Sequence, residues 1–122
     1  MRPEDLMLDD WVECLDSTHE KRMYAQIDAI EESRRCLLVK DGWGNWFLDI
    51  KHLEPIPLTE EILKNNGWRK RPQRYFDEWY GPIPLNEQGG KFYYAGIPLN
   101  YVHELQHLLR LCGGEKEITL TD

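Results

Sequence analysis

Leu53-Glu54-Pro55-Ile56-Pro57-Leu58-Thr59-Glu60-Glu61-Ile62-Leu63-Lys64-Asn65-Asn66-Gly67-Trp68 is the stretch where one kind of patterning gives way to another. Thr59 is a good helix N-cap, with Leu58 and Leu63 at the N′ and N4 positions of a hydrophobic staple. Glu60 and Glu61 complement the positive end of the helix dipole, and Asn66-Gly67 stops the helix after about two turns. Upstream, Lys51-His52 leads into Leu53 to Ile56, which reads as a short strand.

Working back from there, Trp11 to Leu15, Met23 to Ile30, Cys36 to Lys40 and Asn45 to Ile50 are strand-length and rich in aromatic or β-branched residues. Polar or Gly-rich breaks separate them: Asp16 to Glu20, Glu31 to Arg34, and Asp41-Gly42-Trp43-Gly44-Asn45. With Leu53 to Ile56 these make five short strands, and closing them avoids two long exposed edges. The expectation is a five-stranded SH3-like β-barrel over residues 1–57.

Downstream, Arg74 to Tyr80, Ile83 to Leu85 and Phe92 to Ala95 read as strands of a small antiparallel sheet. A second helix is expected from Tyr101 to Cys112, capped by Asn100 and stopped by Gly113-Gly114. Residues 58–122 are therefore expected to form an α+β part packed against the barrel, giving an α+β fold class. The string I-P-L plus a capping residue recurs at Ile56, Ile83 and Ile97, at unequal spacing, and reads as a rigid extended entry into a cap, not as a repeat.

At 122 residues, 41% hydrophobic and 30% charged, the composition is globular and bounds the chain to one core or two small ones. No apolar run approaches the ~20 residues of a membrane span, and Met1-Arg2-Pro3-Glu4-Asp5 has no signal-peptide pattern, so a cytoplasmic location with no membrane partner is expected. Cys14, Cys36 and Cys112 form neither an even set nor a C-x-x-C pair and read as buried thiols. The net charge is −7, and residues 1–57 carry seven Lys/Arg against thirteen Asp/Glu. Such an excess repels phosphate backbones and disfavours nucleic acid as a partner.

The strings Asp5-Leu6-Met7-Leu8-Asp9-Asp10-Trp11-Val12, Leu53 to Trp68, and Tyr101-Val102-His103-Glu104-Leu105-Gln106-His107-Leu108 resemble a family of small proteins of gut anaerobic bacteria and their phages and mobile elements. The resemblance leaves Lys70 to Tyr94 uncovered. It implies a prophage or transposon accessory protein and carries no activity with it.

His103-Glu104-Leu105-Gln106-His107 has the H-E-x-x-H spacing that sets two imidazoles on one helix face about 6 Å apart, with a glutamate as general base for a zinc hydrolase. Against it, Val102, Leu105, Leu108, Leu109 and Cys112 form the apolar stripe, which would leave His103, Gln106, His107 and Arg110 in water. A third ligand is also missing, and Arg110 sits one turn past His107. The expectation is a solvated face with no metal and no cofactor.

Two other groups are candidate binding residues. Trp43 and Trp46 flank a hairpin and could form an aromatic contact surface, although alternation would place one ring in the core. Arg69, Arg71 and Arg74, beside Trp68 and Tyr75, could grip a phosphate backbone, although a basic loop on an acidic protein is more often a solvated connector. His19 and His52 suggest no role. Without a Gly-rich phosphate loop, a nucleophile–base pair or a convincing carboxylate pair, the function expected is a non-enzymatic binding or adaptor module with an unknown protein partner.

Overall fold

The computed structural model describes residues 5–16, 18, 21–40, 44–113 and 117–120. It is an α+β structure with two antiparallel sheets and two helices, and its contacts divide it into two compact units. The first ends at Ile56 and includes Leu120; the second is Pro57–Thr119.

In the first unit β1 (Trp11–Leu15), β2 (Arg22–Ile30), β3 (Arg35–Lys40) and β4 (Gly44–Asp49) pair in chain order. Strand alternation sends Met23, Ala25, Ile27, Cys36, Leu38, Trp46 and Leu48 to one face, where they join Val12, Cys14, Ile50 and Leu53 in a buried cluster. The register slips between Ile27 and Ala29, so Asp28 is the extra residue of a bulge that bends β2. Burial pushes the Cys36 thiol up, as expected for an inert core cysteine.

Four of the five expected strands are present, but the barrel is not closed. A 3-10 turn (Ile50–His52) follows β4, and the expected fifth strand is reduced to one antiparallel bridge. There Glu13 and Glu54 exchange both backbone hydrogen bonds, at 2.9 and 2.8 Å. On one side the bridge stops at the 3-10 turn, and the Leu15 carbonyl that a longer ladder would use accepts from the Trp46 indole N–H instead.

The second unit begins with α1 (Glu60–Asn65), where Thr59 Oγ1 accepts from Ile62 N at 3.2 Å as its sequence position predicts. Five strands follow as a meander: β5 (Arg69–Pro72), β6 (Asp77–Tyr80), β7 (Leu85–Gln88), β8 (Lys91–Tyr94) and β9 (Ile97–Leu99). Gly89-Gly90 and Ala95-Gly96 supply successive positive φ values, the geometry of two-residue hairpin turns. One face of the sheet buries Trp79, Leu85, Phe92 and Leu99; Leu63 of α1 and Val102, Leu105 and Leu109 of α2 (Val102–Leu111) are buried with them.

The buried Asn66 at the end of α1 donates to Ile62 O (2.9 Å) and Thr119 O (3.0 Å) and accepts from Thr119 N (2.7 Å), so one amide ties the C-terminal tail to the helix. The buried Trp68 donates its indole N–H to Ile83 O at 2.9 Å.

Several expectations for this half are corrected. The segment Arg69 to Pro72 is a strand, the expected strand from Arg74 to Tyr80 is a turn followed by β6, and Ile97–Leu99 is an edge strand that tolerates Pro98 because one side has no partner. The string at Ile83 leads into β7, not into a cap. The N-cap of α2 is Tyr101 instead of Asn100, because the Glu104 carboxylate reaches back to both backbone N–H groups, at 2.9 Å (Asn100) and 3.0 Å (Tyr101). Cys14 and Cys36 are buried, whereas Cys112, past the last full turn of α2, is exposed.

The solvated histidine face is corrected as well. His103 and Gln106 are each only 6% exposed, so the buried arc of α2 is wider than its apolar stripe. The His103 ring stacks on Tyr101 at 5.8 Å and meets His107 edge-on at 5.6 Å, which gives an imidazole apolar company that a wheel of hydrophobic residues does not count.

Candidate functional site

Alternation along β5 decides what its basic residues do. Arg69 and Arg71 point to one face of the sheet, while Lys70, paired with buried Trp79, points to the other. What reads in sequence as one basic cluster is therefore two different environments.

On the first face, Arg71, Glu78, Asn86, Tyr93 and Pro98 stand in one row across all five strands, as the register of the four ladders requires. Arg69 and Tyr80 form the next row, and Gln88 with Lys91 lies on the opposite side. Tyr80 donates its hydroxyl to Glu78, and that hydrogen bond raises the tyrosine's pKa. Phe76, Asn86, Gln88, Tyr93 and Gly96 line a shallow depression of about 390 Å³. Exposure of large rings is high: Tyr75 73%, Tyr80 46% and Phe76 38%. Arg74 lies over Tyr75 at 5.3 Å, at the hairpin closed by the hydrogen bond from Gln73 N to Phe76 O.

On the other face, Lys70 Nζ is ringed by carboxylates: Glu60 at 2.7 Å, Asp77 at 3.3 Å and Glu87 at 3.9 Å. Glu87 also accepts from Trp79 Nε1 at 3.0 Å. The Lys70 hydrogen bond holds the Glu60 carboxyl below its usual range, while burial pushes Glu87 up. Glu60 therefore contributes stability above its unfolded pKa that is lost as pH falls, and Glu87 charges against a cost as pH rises. Without the ammonium, Glu60 and Glu87 would lose the cation that favours their charged forms, and repulsion within the cluster would grow between about pH 4 and 7. Thermal denaturation of Lys70→Met should show a lowered melting temperature at pH 7 and a gap from wild type that narrows at pH 4; an equal gap at both would deny the cluster this role.

The remaining sequence candidates lie elsewhere. Trp46 is a core residue, its indole N–H donating to Leu15 O at 3.1 Å; Phe47, on the opposite face of β4, is the exposed ring, with Arg35 at 4.4 Å. Trp43 and His19 lie outside the described residues, and His52 ends the 3-10 turn. His103 and His107 do come together, but Glu104 is held on two backbone N–H groups as part of a helix cap, which takes it from the role of general base. Among the described residues no three His, Cys, Asp or Glu side chains form a group able to hold a metal ion, and no helix is long and apolar enough to cross a membrane.

No family model, curated protein or solved structure matches the chain. Of the residues at this face and its hairpin, the sequence singles out Arg69, Arg71 and Arg74 and passes over Phe76, Tyr80, Asn86, Gln88 and Tyr93. The alternation in Phe76-Asp77-Glu78-Trp79-Tyr80, with large rings at both parities, was the available signal that one aromatic set would be left outside.

Proposed function

We propose that this chain is a non-enzymatic binding module whose working surface is the uncovered face of the β5–β9 sheet. The observation that carries it is the row Arg71, Glu78, Asn86, Tyr93, Pro98 held on strands, with exposed Tyr80 beside it and exposed Phe76 in the turn before β6, next to a depression of about 390 Å³ lined by Phe76, Asn86, Gln88, Tyr93 and Gly96. Side chains mounted on a sheet are pre-positioned, so little ordering entropy is lost when a partner docks. An accessory role in a mobile element, as the resemblance implies, asks for such a module more than for a catalyst. In the first unit, the four-strand meander, the 3-10 turn and the return pairing of Glu54 with Glu13 support an SH3-like reading in which that unit serves as scaffold.

The test is a fragment screen read by backbone amide chemical shifts, with nucleotides, sugars and short peptides as probes. Perturbations should centre on Phe76, Tyr80, Asn86, Gln88, Tyr93 and Gly96. Perturbations centred on His103 and His107, or hydrolysis of an ester or peptide probe lost in Glu104→Gln, would favour the hydrolase reading instead.

A further inference from the structure

Resting on that reading of the sheet face, we propose that its ligand is a single-stranded nucleic acid, with bases stacked on the exposed rings and phosphates held by Arg69, Arg71, Arg74 and Lys91. The net charge of −7 argues against this only when the chain is taken whole. Residues 57–119 carry eight Lys/Arg and eight Asp/Glu, and the acids are placed unevenly. Glu60, Asp77 and Glu87 surround Lys70 on the other face, and Glu104 is bound into the cap of α2. Among the described residues, the uncovered face and its β5–β6 hairpin then present four cations, Arg69, Arg71, Arg74 and Lys91, against the one acid Glu78.

Rings decide between single and double strands. Tyr80 lies two residues from Glu78 on the same face of β6, about 7 Å along the strand, and Phe76 stands in the turn that leads into β6. Tyr93 stands two strands away, roughly 10 Å across the sheet. Such rings gain from bases only when the base faces are free, which a duplex does not offer. Asn86 and Gln88, in the depression between Phe76 and Tyr93, supply a donor and an acceptor each to the edge of an unstacked base. An acidic peptide would use the cations and pair its backbone with the amides, but its carboxylate side chains offer these rings no flat face to stack on.

The experiment is fluorescence anisotropy with labelled 12-nucleotide oligo-dT and oligo-U, a 12-base-pair duplex and an acidic peptide of equal charge, from about 50 to 300 mM salt. Saturable binding of a single strand, at least tenfold tighter than of duplex or peptide, is expected, with a log–log salt slope of about −2 to −3 from three or four phosphate contacts. Arg69→Ala with Arg71→Ala should weaken it roughly tenfold and flatten the slope by about 1.4. Tyr93→Ala or Phe76→Ala should weaken it about tenfold and leave the slope unchanged, because stacking releases no counterions. Lys51→Ala, a charge removed from the first unit, should leave binding as it was. No saturation by any single strand, tighter binding of duplex or peptide, or equal loss in Lys51→Ala would overturn the proposal. If fragments still map to the sheet face while oligonucleotides fail, the ligand class falls and the binding surface stands; if fragments map elsewhere, both fall.

Discussion

Gly81→Ala is expected to destabilise the protein by about 3 kcal/mol, the upper range for forcing an extra carbon into a packed site. A Cβ at position 81 would stand 2.5 Å from Cδ1, 2.6 Å from Cγ and 2.7 Å from Nε1 of Trp68. These are atoms of a rigid ring, and the ring has nowhere to go: Trp68 is 2% exposed and anchored through its N–H to Ile83 O. Relief requires moving the indole or the backbone of the turn, and either breaks that hydrogen bond. The melting temperature should fall by about 10 °C at this chain length. Trp68→Leu would be costly alone, through the cavity and the lost hydrogen bond. In its background, however, Gly81→Ala should become nearly neutral, so the double-mutant cycle should return a coupling of about 3 kcal/mol. A cycle that is simply additive would show that the glycine is required for some other reason. Gly89→Ala makes a contrast: nothing stands within 4 Å of its Cβ, and only the positive φ is at issue, for about 1 kcal/mol.

Asn66→Asp should cost a similar amount, about 3 kcal/mol at neutral pH, with almost no change of shape. The amide nitrogen now donates to two carbonyls, Ile62 O and Thr119 O; a carboxylate oxygen there would face both lone pairs and carry a buried charge. The new acid's folded pKa would be raised above its unfolded value near 4, so the penalty is small below that value and grows as pH rises through it. Chemical denaturation at pH 4 and pH 7 checks this. A penalty independent of pH would point to packing and not to the donor. Asn66→Ala should lie between, at about 2 kcal/mol, since it leaves Thr119 N and O without the partner they share.

How much was legible beforehand depended on whether the signal was local. The cap at Thr59, the stop at Asn66-Gly67 and the four strands before Asp49 each rest on a few adjacent residues, and each is where it was expected. Closure of a barrel is not local: it turned on whether Leu53 to Ile56 could pair along its length, and the pairing is confined to Glu54 beside the 3-10 turn. The basic segment misled for a similar reason. Four charges in Arg69 to Arg74 suppress any hydrophobic alternation, yet β6 supplies a partner strand, and an edge strand of charged residues is stable when its ladder is good. Buried His103 and Gln106 had no sequence signal at all, because a wheel of apolar positions cannot tell a polar side chain that is covered from one that is wet.

Strand order in both sheets follows the chain without a crossover, so each ladder closes a loop of only a few residues. Such hairpins assemble early, since the entropy of loop closure is small. The Asn66–Thr119 tie is of the other kind, spanning 53 residues, and it belongs on the native side of the folding barrier. In stopped-flow measurements Asn66→Asp should therefore speed unfolding and leave the refolding rate nearly unchanged, a φ-value near zero. The segment at Thr119 is then late to dock and early to leave, and loosening that one amide shortens the lifetime of the second unit without slowing the strand pairing that comes before it.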